Sequence, residues 1–396
     1  MPRQKRKDNE GRVLQKGESQ RKDLTYQYRW TDARGRRNTI YATTLESLRK
    51  KERRVQLEEG LGLDYAAGGI TVVELVERYI QLKQGMRYHT KVGYECVLSL
   101  LKKEKFGYRK IRDIRISDAK LWIIKLSESG RGYSTITNVR GVLKPAFQMA
   151  YEDDIIHKNP FDFRLDIIPN TTRKRIAMTA EQQKAFMDFI REDEHFSRYY
   201  DEYVILLETG LRVSEFTGLT MRDLDFERKR IHVDHQLSKG KGGAYYIEKP
   251  KTEKGERFVP MSENVVESLR SILRNRKSSA VEVMVEGYSG FILLDRYGRP
   301  KVALHIQKQM QRALEKYNQT HDEQLPWITP HVFRHTFCTN MANAGMDIKS
   351  LQYLMGHSDV GVTLNVYTHA SYEKAEESMA KILRPDFGGE ESNTTS

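Results

Sequence analysis

The sequence predicts a mainly α-helical protein of several domains, with small antiparallel sheets at two places. Three observations predict it. The chain has 396 residues, more than one hydrophobic core usually organises. Apolar residues recur at helical spacing from about residue 71 to 152 and again through most of the chain beyond 177. Period-two alternation of aromatic and β-branched residues is confined to an N-terminal stretch and to parts of residues 229–295. These patterns divide the chain into a sheet-plus-helix module at 1–65, a helical bundle at 70–160 and a linker at 161–176. A mixed, mostly helical domain at 177–385 and a disordered tail at 386–396 complete the expected layout.

In the first module, "LTYQYRWTD" (24–32) and "RNTIYATT" (37–44) alternate as strands do, and "ARGR" between them supplies a turn, which predicts a hairpin. A helix follows, capped by Thr44 and closed at Gly60, with Leu45, Leu48, Val55 and Leu57 on its apolar stripe. Residues 1–60 carry 17 Lys plus Arg against 9 Asp plus Glu, so about 8 of the chain's 13 net positive charges lie here. That density favours a polyanionic partner. Tyr26, Tyr28, Arg29, Trp30, Arg36 and Arg37 are expected to face outward and meet a DNA groove, with burial of the aromatics in the sheet's own core as the competing reading.

"AAGGIT" (66–71) breaks the pattern before Val73, Val76, Tyr79 and Ile80 recur at helical spacing. Helices are predicted over 71–84, 88–105, 117–128 and 133–152, a compact bundle. Basic and aromatic residues interleave in "RYHTKVGYECVLSLLKKEKFGYRK", which suits either a phosphate backbone or a solvated face. "DFRLDIIPNTTRKRIAM" has no sustained period and reads as the linker. Beyond it, strand-like pieces near "KRIHVDHQ", "GGAYYIEKPKTEKGERFVPM" and "GFILLD" interrupt a helical pattern.

Composition narrows the function classes. The apolar fraction of 38% is above that of a disordered chain, and no run of roughly 18 apolar residues offers a membrane span. "MPRQKRKDNEGR" lacks an apolar signal core, so the expectation is a cytoplasmic, nucleoid-associated protein. Cys96 and Cys338 form no CxxC pair, which argues against a disulfide framework or a four-cysteine zinc site. "KGKGG" lacks the framing strand and the Ser or Thr of a nucleotide-binding loop.

The chemistry-bearing residues lie beyond residue 200. In "TPHVFRHTF" (329–337) a helix begun near Pro330 places His331 and Arg334 three apart on one face. His331, His335 and Cys338 also follow an i, i+4, i+7 pattern able to chelate zinc, but Arg334 among them would repel a cation. In "ETGLRVSEFTGL" (208–219), Arg212 stands between Leu211 and Val213, just past a helix-ending glycine. A buried guanidinium needs a carboxylate or a phosphate, so Arg212 is either paired with Glu215 or a phosphate clamp. "SLQYLMGHSDVGVTLNVYTH" places His357 after a second glycine stop and Tyr367 ten residues later.

Together, "TGLRVSE", "HVFRHTF" and "LMGHSDVGVTLNVY" resemble the motifs of the tyrosine recombinase, or phage integrase, family, and the three-part layout resembles integrases of conjugative transposons. The resemblance implies an arm-site DNA-binding module at 1–65, a core-binding domain at 70–160 and a catalytic domain at 177–385. It implies catalytic Arg212, Lys251, His331, Arg334 and His357 with Tyr367 as nucleophile, Lys249 and Lys254 being the alternatives to Lys251. The implied activity is site-specific cutting and rejoining of double-stranded DNA through a 3′-phosphotyrosyl link, integrating and excising a mobile element without metal, ATP or other cofactor. A homotetramer on core and arm sites is implied, with an excisionase or DNA-bending protein as a further partner and no membrane. The alternatives are a type IB topoisomerase-like nicking and closing enzyme and a catalytically silent DNA-binding regulator of the same fold.

Overall fold

The structure is a computed structural model that describes residues 6–31, 35, 37–60, 69–172, 176–250, 255–277, 281–367 and 379. The chain divides into two compact units, residues 1–173 and 174–396. Among the described residues no helix is long and apolar enough to cross a membrane.

In the first unit, β1 (Glu18–Gln20), β2 (Tyr26–Thr31) and β3 (Arg37–Ala42) form an antiparallel sheet with β2 central, followed by α1 (Leu45–Gly60). The hairpin register pairs Tyr28 with Ile40 and Trp30 with Asn38. The outward placement expected for the tyrosines does not hold: Tyr26 and Tyr28 are 3% and 9% exposed and pack with Leu14, Leu45 and Leu48. Residues 26, 28 and 30 share one face of a strand, and a three-stranded sheet with one helix can bury only its apolar face. Trp30 is half-buried and stacked on Tyr28, with ring centroids 5.5 Å apart. The Tyr26 hydroxyl is occupied too, accepting from Arg12 at 2.6 Å and donating to Asp8 at 3.0 Å. Arg29 and Arg37 are exposed, while Arg36 lies outside the described residues. Leu57, expected on the apolar stripe of α1, is exposed, because it falls about 120° round the helix from Leu45. Glu52 takes the buried place beside Val55 instead.

The bundle comprises α2 (Val72–Gln81), α3 (Tyr88–Lys103), α4 (Ile116–Glu128) and α5 (Tyr133–Glu152). Thr71 and Glu74 close a capping box at the start of α2. The expected linker begins too early: Phe161 and Ile168 belong to the bundle core, with Phe161 edge-on to Phe106 and Trp122. Apolar residues without a period still bury where a concave surface awaits them.

The second unit contains α6 (Ala180–Glu192), α7 (Tyr200–Thr209), α8 (Val213–Gly218), β4 (Leu224–Asp225), β5 (Arg230–Val233), β6 (Gln236–Lys239), β7 (Tyr245–Glu248) and β8 (Arg257–Pro260). Helices α9 (Glu263–Asn275), α10 (Ala303–Thr320), α11 (Pro330–Asn343), α12 (Ile348–Met355) and α13 (Val360–Tyr367) follow. The sheets are β4-β5-β8 and β6-β7, all antiparallel. "GFILLD" forms isolated bridges, Phe291 to Thr220 and Leu294 to Pro300, rather than a strand. Phe186, Tyr203, Phe216, Leu269, Ile306 and Phe333 are among the residues of the main core, on which α7, α9, α10 and α11 pack. The expected helical segment after Tyr367 and the expected disordered tail lie outside the described residues.

Candidate active site

Two helix ends build the site. Helix α7 stops at Gly210, which adopts φ +62°, and a Cβ there would lie 2.3 Å from the Phe337 ring. Only glycine fits such a turn without strain. Arg212 then caps α8: its backbone N–H donates to Glu215 Oε2 at 2.9 Å and its Nη1 to Glu215 Oε1 at 2.6 Å. Helix α12 stops likewise at Gly356, with φ +57°.

The last carbonyls of α12 each receive a different arginine. Arg257 Nε donates to Leu354 O at 2.7 Å, Arg334 Nη2 donates to Met355 O, and Arg212 Nη2 donates to Gly356 O at 2.9 Å. Unpaired carbonyls at a helix C-terminus carry partial negative charge, so cations suit them. Arg334 also donates to Gly210 O at 2.6 Å, which ties the two glycine turns together. Arg257, whose side chain has no exposure, holds both oxygens of Glu215, at 3.2 and 2.8 Å. The guanidinium lies so close to Gly356 that a Cβ there would meet Arg257 Nη1 at 2.9 Å.

Among the described residues, Arg212 and Arg257 thus bond one carboxylate, that of Glu215, and Arg334 acts on it through its charge alone. Burial alone would raise the Glu215 carboxyl, but Arg257, then Arg212 and Arg334, hold it down at about 2. Burial, with Arg212 and Arg257 nearby, lowers Arg334 to about 9, so it remains a cation at neutral pH. Its hydrogen bonds go to two neutral carbonyls, an arrangement that leaves its charge unmatched. The Arg212 side chain keeps 34% exposure and can still meet a ligand.

His357 follows Gly356 directly. Burial, then the charges of Arg334, Arg212 and Arg257, push its ring down to about 4, so it is neutral at pH 7. Its Nδ1 lies 3.0 Å from the hydroxyl of Thr363, a fully buried residue of α13. Helix α13 packs on α11 and α12 and ends with Tyr367, whose side chain lies outside the described residues. His331 occupies the first turn of α11, one turn before Arg334. Lys251 and Lys254 lie outside the described residues.

No ion-binding cluster forms from His331, His335 and Cys338 among the described residues; Asp223, Asp234 and His235 alone converge closely enough. These three are already engaged: His235 meets Asp234 at 2.5 Å and Gly218 O at 2.7 Å, and Asp223 accepts from Thr220 N and Oγ1.

Residues 177–374 match the model of the phage integrase family. The chain is also 42% identical over 393 residues to the transposase from transposon Tn916 of Enterococcus faecalis, covering 96% of this chain and 97% of that one. The chain belongs to the phage integrase family. Residues 2–59 of this phage integrase match the DNA-binding domain of Tn916 integrase. The transposase from transposon Tn1545 of Streptococcus pneumoniae shows the same 42% identity over 393 residues, with 96% and 97% coverage. A solved structure of the Tn1549 transposon integrase in complex with a circular intermediate DNA is similar at a TM-score of 0.76 and 42% identity, covering 79% of this chain and 99% of that one.

In this phage integrase, Arg212, Arg334 and His357 of the expected site come together around Gly356. Sequence reasoning missed Arg257 as part of the site, because a strand arginine reads as outward-facing. The signal was its alternation with Val259, which puts both on the buried face of β8. Thr363 was missed as well, although it stands four residues, one helical turn, before Tyr367.

Proposed function

We propose that this phage integrase is a site-specific DNA recombinase that integrates and excises a mobile element through a 3′-phosphotyrosyl intermediate. One observation carries the reading: a cluster of three arginines, two of them buried, with a single carboxylate among the described residues is short of negative charge, and a scissile phosphate supplies it. Similarity to transposon integrases and to a DNA-bound integrase structure supports the same substrate class.

In the proposed chemistry, Arg212 and Arg334 bind the non-bridging oxygens, where negative charge grows as the nucleophile approaches. His357, neutral and close to both arginines, adds a neutral N–H donor to the same phosphate. Tyr367 attacks phosphorus and gives its phenolic proton to His331; the P–O5′ bond breaks and Lys251 protonates the leaving oxygen. Attack by a free 5′ hydroxyl on the phosphotyrosyl bond reverses each step, so the bond energy is kept for rejoining.

The proposed division of labour has residues 1–65 on arm sites, 70–160 on core sites and 177–385 in catalysis. The match of residues 2–59 to a DNA-binding domain supports the first assignment. Exposed Arg29 and Arg37, joined by Arg36, are the proposed DNA contacts there, while half-buried Trp30, stacked on Tyr28, lies on the opposite face of β2. Strand exchange between two duplexes calls for four protomers, and an excisionase or DNA-bending protein is the proposed director of excision.

The test is a nicked substrate that traps the covalent intermediate. Wild type forms an adduct on Tyr367, and Tyr367→Phe binds the same DNA without forming one. An adduct that survives this change places the nucleophile elsewhere.

A further inference from the structure

A hydrogen bond joins His357 to α13, the helix that carries the proposed nucleophile. Thr363 lies on α13 with no exposure at all, and its Oγ1 is 3.0 Å from His357 Nδ1. Thr363 and Tyr367 are one turn apart, so they share a face of that helix. A buried hydroxyl is kept only where it has a hydrogen-bond partner, and here the partner is an imidazole.

The direction of that bond follows from the surroundings. Burial, then the three guanidiniums next to His357, disfavour a second proton on the ring, so the imidazole carries one N–H. Either Nδ1 donates to Thr363, leaving Nε2 a lone pair, or Thr363 donates to Nδ1, leaving Nε2 the hydrogen. Toward an anionic phosphate, the first tautomer presents a lone pair and repels; the second presents a donor and binds.

We propose that Thr363 is a positioning residue that donates its hydroxyl hydrogen to His357 Nδ1, fixing the Nε2–H tautomer for the phosphate and tethering the helix of Tyr367 to the same point. This rests on the roles proposed above for His357 and Tyr367. The tether gives the loop between Gly356 and α13 a fixed end: the residue that senses the phosphate and the helix that delivers the attacking oxygen move as one piece. Arg257 and Arg334 hold α12 on one side of His357, and Thr363 holds α13 on the other.

Two substitutions separate this from simple packing. Thr363→Val keeps the shape and removes the hydroxyl; Thr363→Ser keeps the hydroxyl and removes a methyl group. The readouts, on the full chain, are single-turnover adduct formation on nicked DNA, DNA affinity, and the ¹⁵N signals of His357 assigned with a His357→Gln sample. Thr363→Val is expected to slow adduct formation roughly 10- to 100-fold at unchanged DNA affinity, with the His357 ring shifting from the Nε2–H form toward a mixture. Thr363→Ser is expected to restore both rate and tautomer. A Thr363→Val protein that cleaves at the wild-type rate overturns the proposal, as does a Thr363→Ser protein as slow as Thr363→Val, or a His357 spectrum unchanged by either. Should Tyr367→Phe still form adduct, the proposed nucleophile fails instead, while the ¹⁵N comparison still decides the Thr363 bond.

Discussion

Two buried ionic clusters in this molecule use the same residue types in opposite proportion. In the N-terminal module, Glu18 and Glu52 share Arg49, so the excess is one carboxylate. Arg49 outweighs burial and keeps Glu18 ionised below its ordinary range, whereas burial and the charge of Glu18 push Glu52 up. A proton from water can therefore settle that account. Around Glu215 the excess is guanidinium, which stays charged at neutral pH, and only an anion from outside can match it. The sign and the acidity of the surplus charge separate a cluster that holds a fold together from one built to receive a ligand.

The largest expected effect is on Glu215. Glu215→Gln leaves three guanidiniums facing each other and is expected to cost about 3–5 kcal/mol in denaturant melts. Acid reaches the same loss in the wild type. The Glu215 carboxyl is depressed in the folded state, so its contribution is complete above the ordinary carboxylate value and disappears as pH falls from about 4.5 to about 2. A melt series that stays flat across that window would erase the contrast. Next comes Arg212→Lys, which cannot reach Glu215, Gly356 O and a phosphate together. It is expected to slow adduct formation about 100-fold, or roughly 3 kcal/mol, at similar DNA affinity. Smaller again, inorganic phosphate at about 100 times its dissociation constant should add about 2.7 kcal/mol of stability in the wild type, and less in Arg212→Ala. Smallest, Glu52→Gln should stabilise by up to about 1 kcal/mol, since it removes a surplus charge that the fold only tolerates. If Glu52→Gln instead destabilises as strongly as Glu215→Gln, the two clusters are of one kind.

The start of the helix at Pro330 was legible because proline suits a first helical position. Arg212 was legible because two apolar neighbours and a glycine stop put a cation where a cation is costly. The meeting of Arg212, Arg257 and Arg334 on successive carbonyls of α12 was not, since main-chain acceptors leave no trace in residue identity. The aromatic stripe of β2 misled for another reason. Period-two alternation reveals which residues share a face but not which face is covered, and charge nearby pointed the tyrosines outward when α1 needed them inside. Residues 161–168 show the same limit, being apolar without a period and yet packed into the bundle.

Arg212 reaches Gly356 across 144 residues of chain, and Arg334 reaches back to Gly210 across 124. The arginine cluster therefore assembles only after residue 356 has been synthesised, whereas the basic N-terminal segment is made first. A chain cut short before α12 keeps its basic N-terminal residues but lacks the carbonyls that hold the three arginines together.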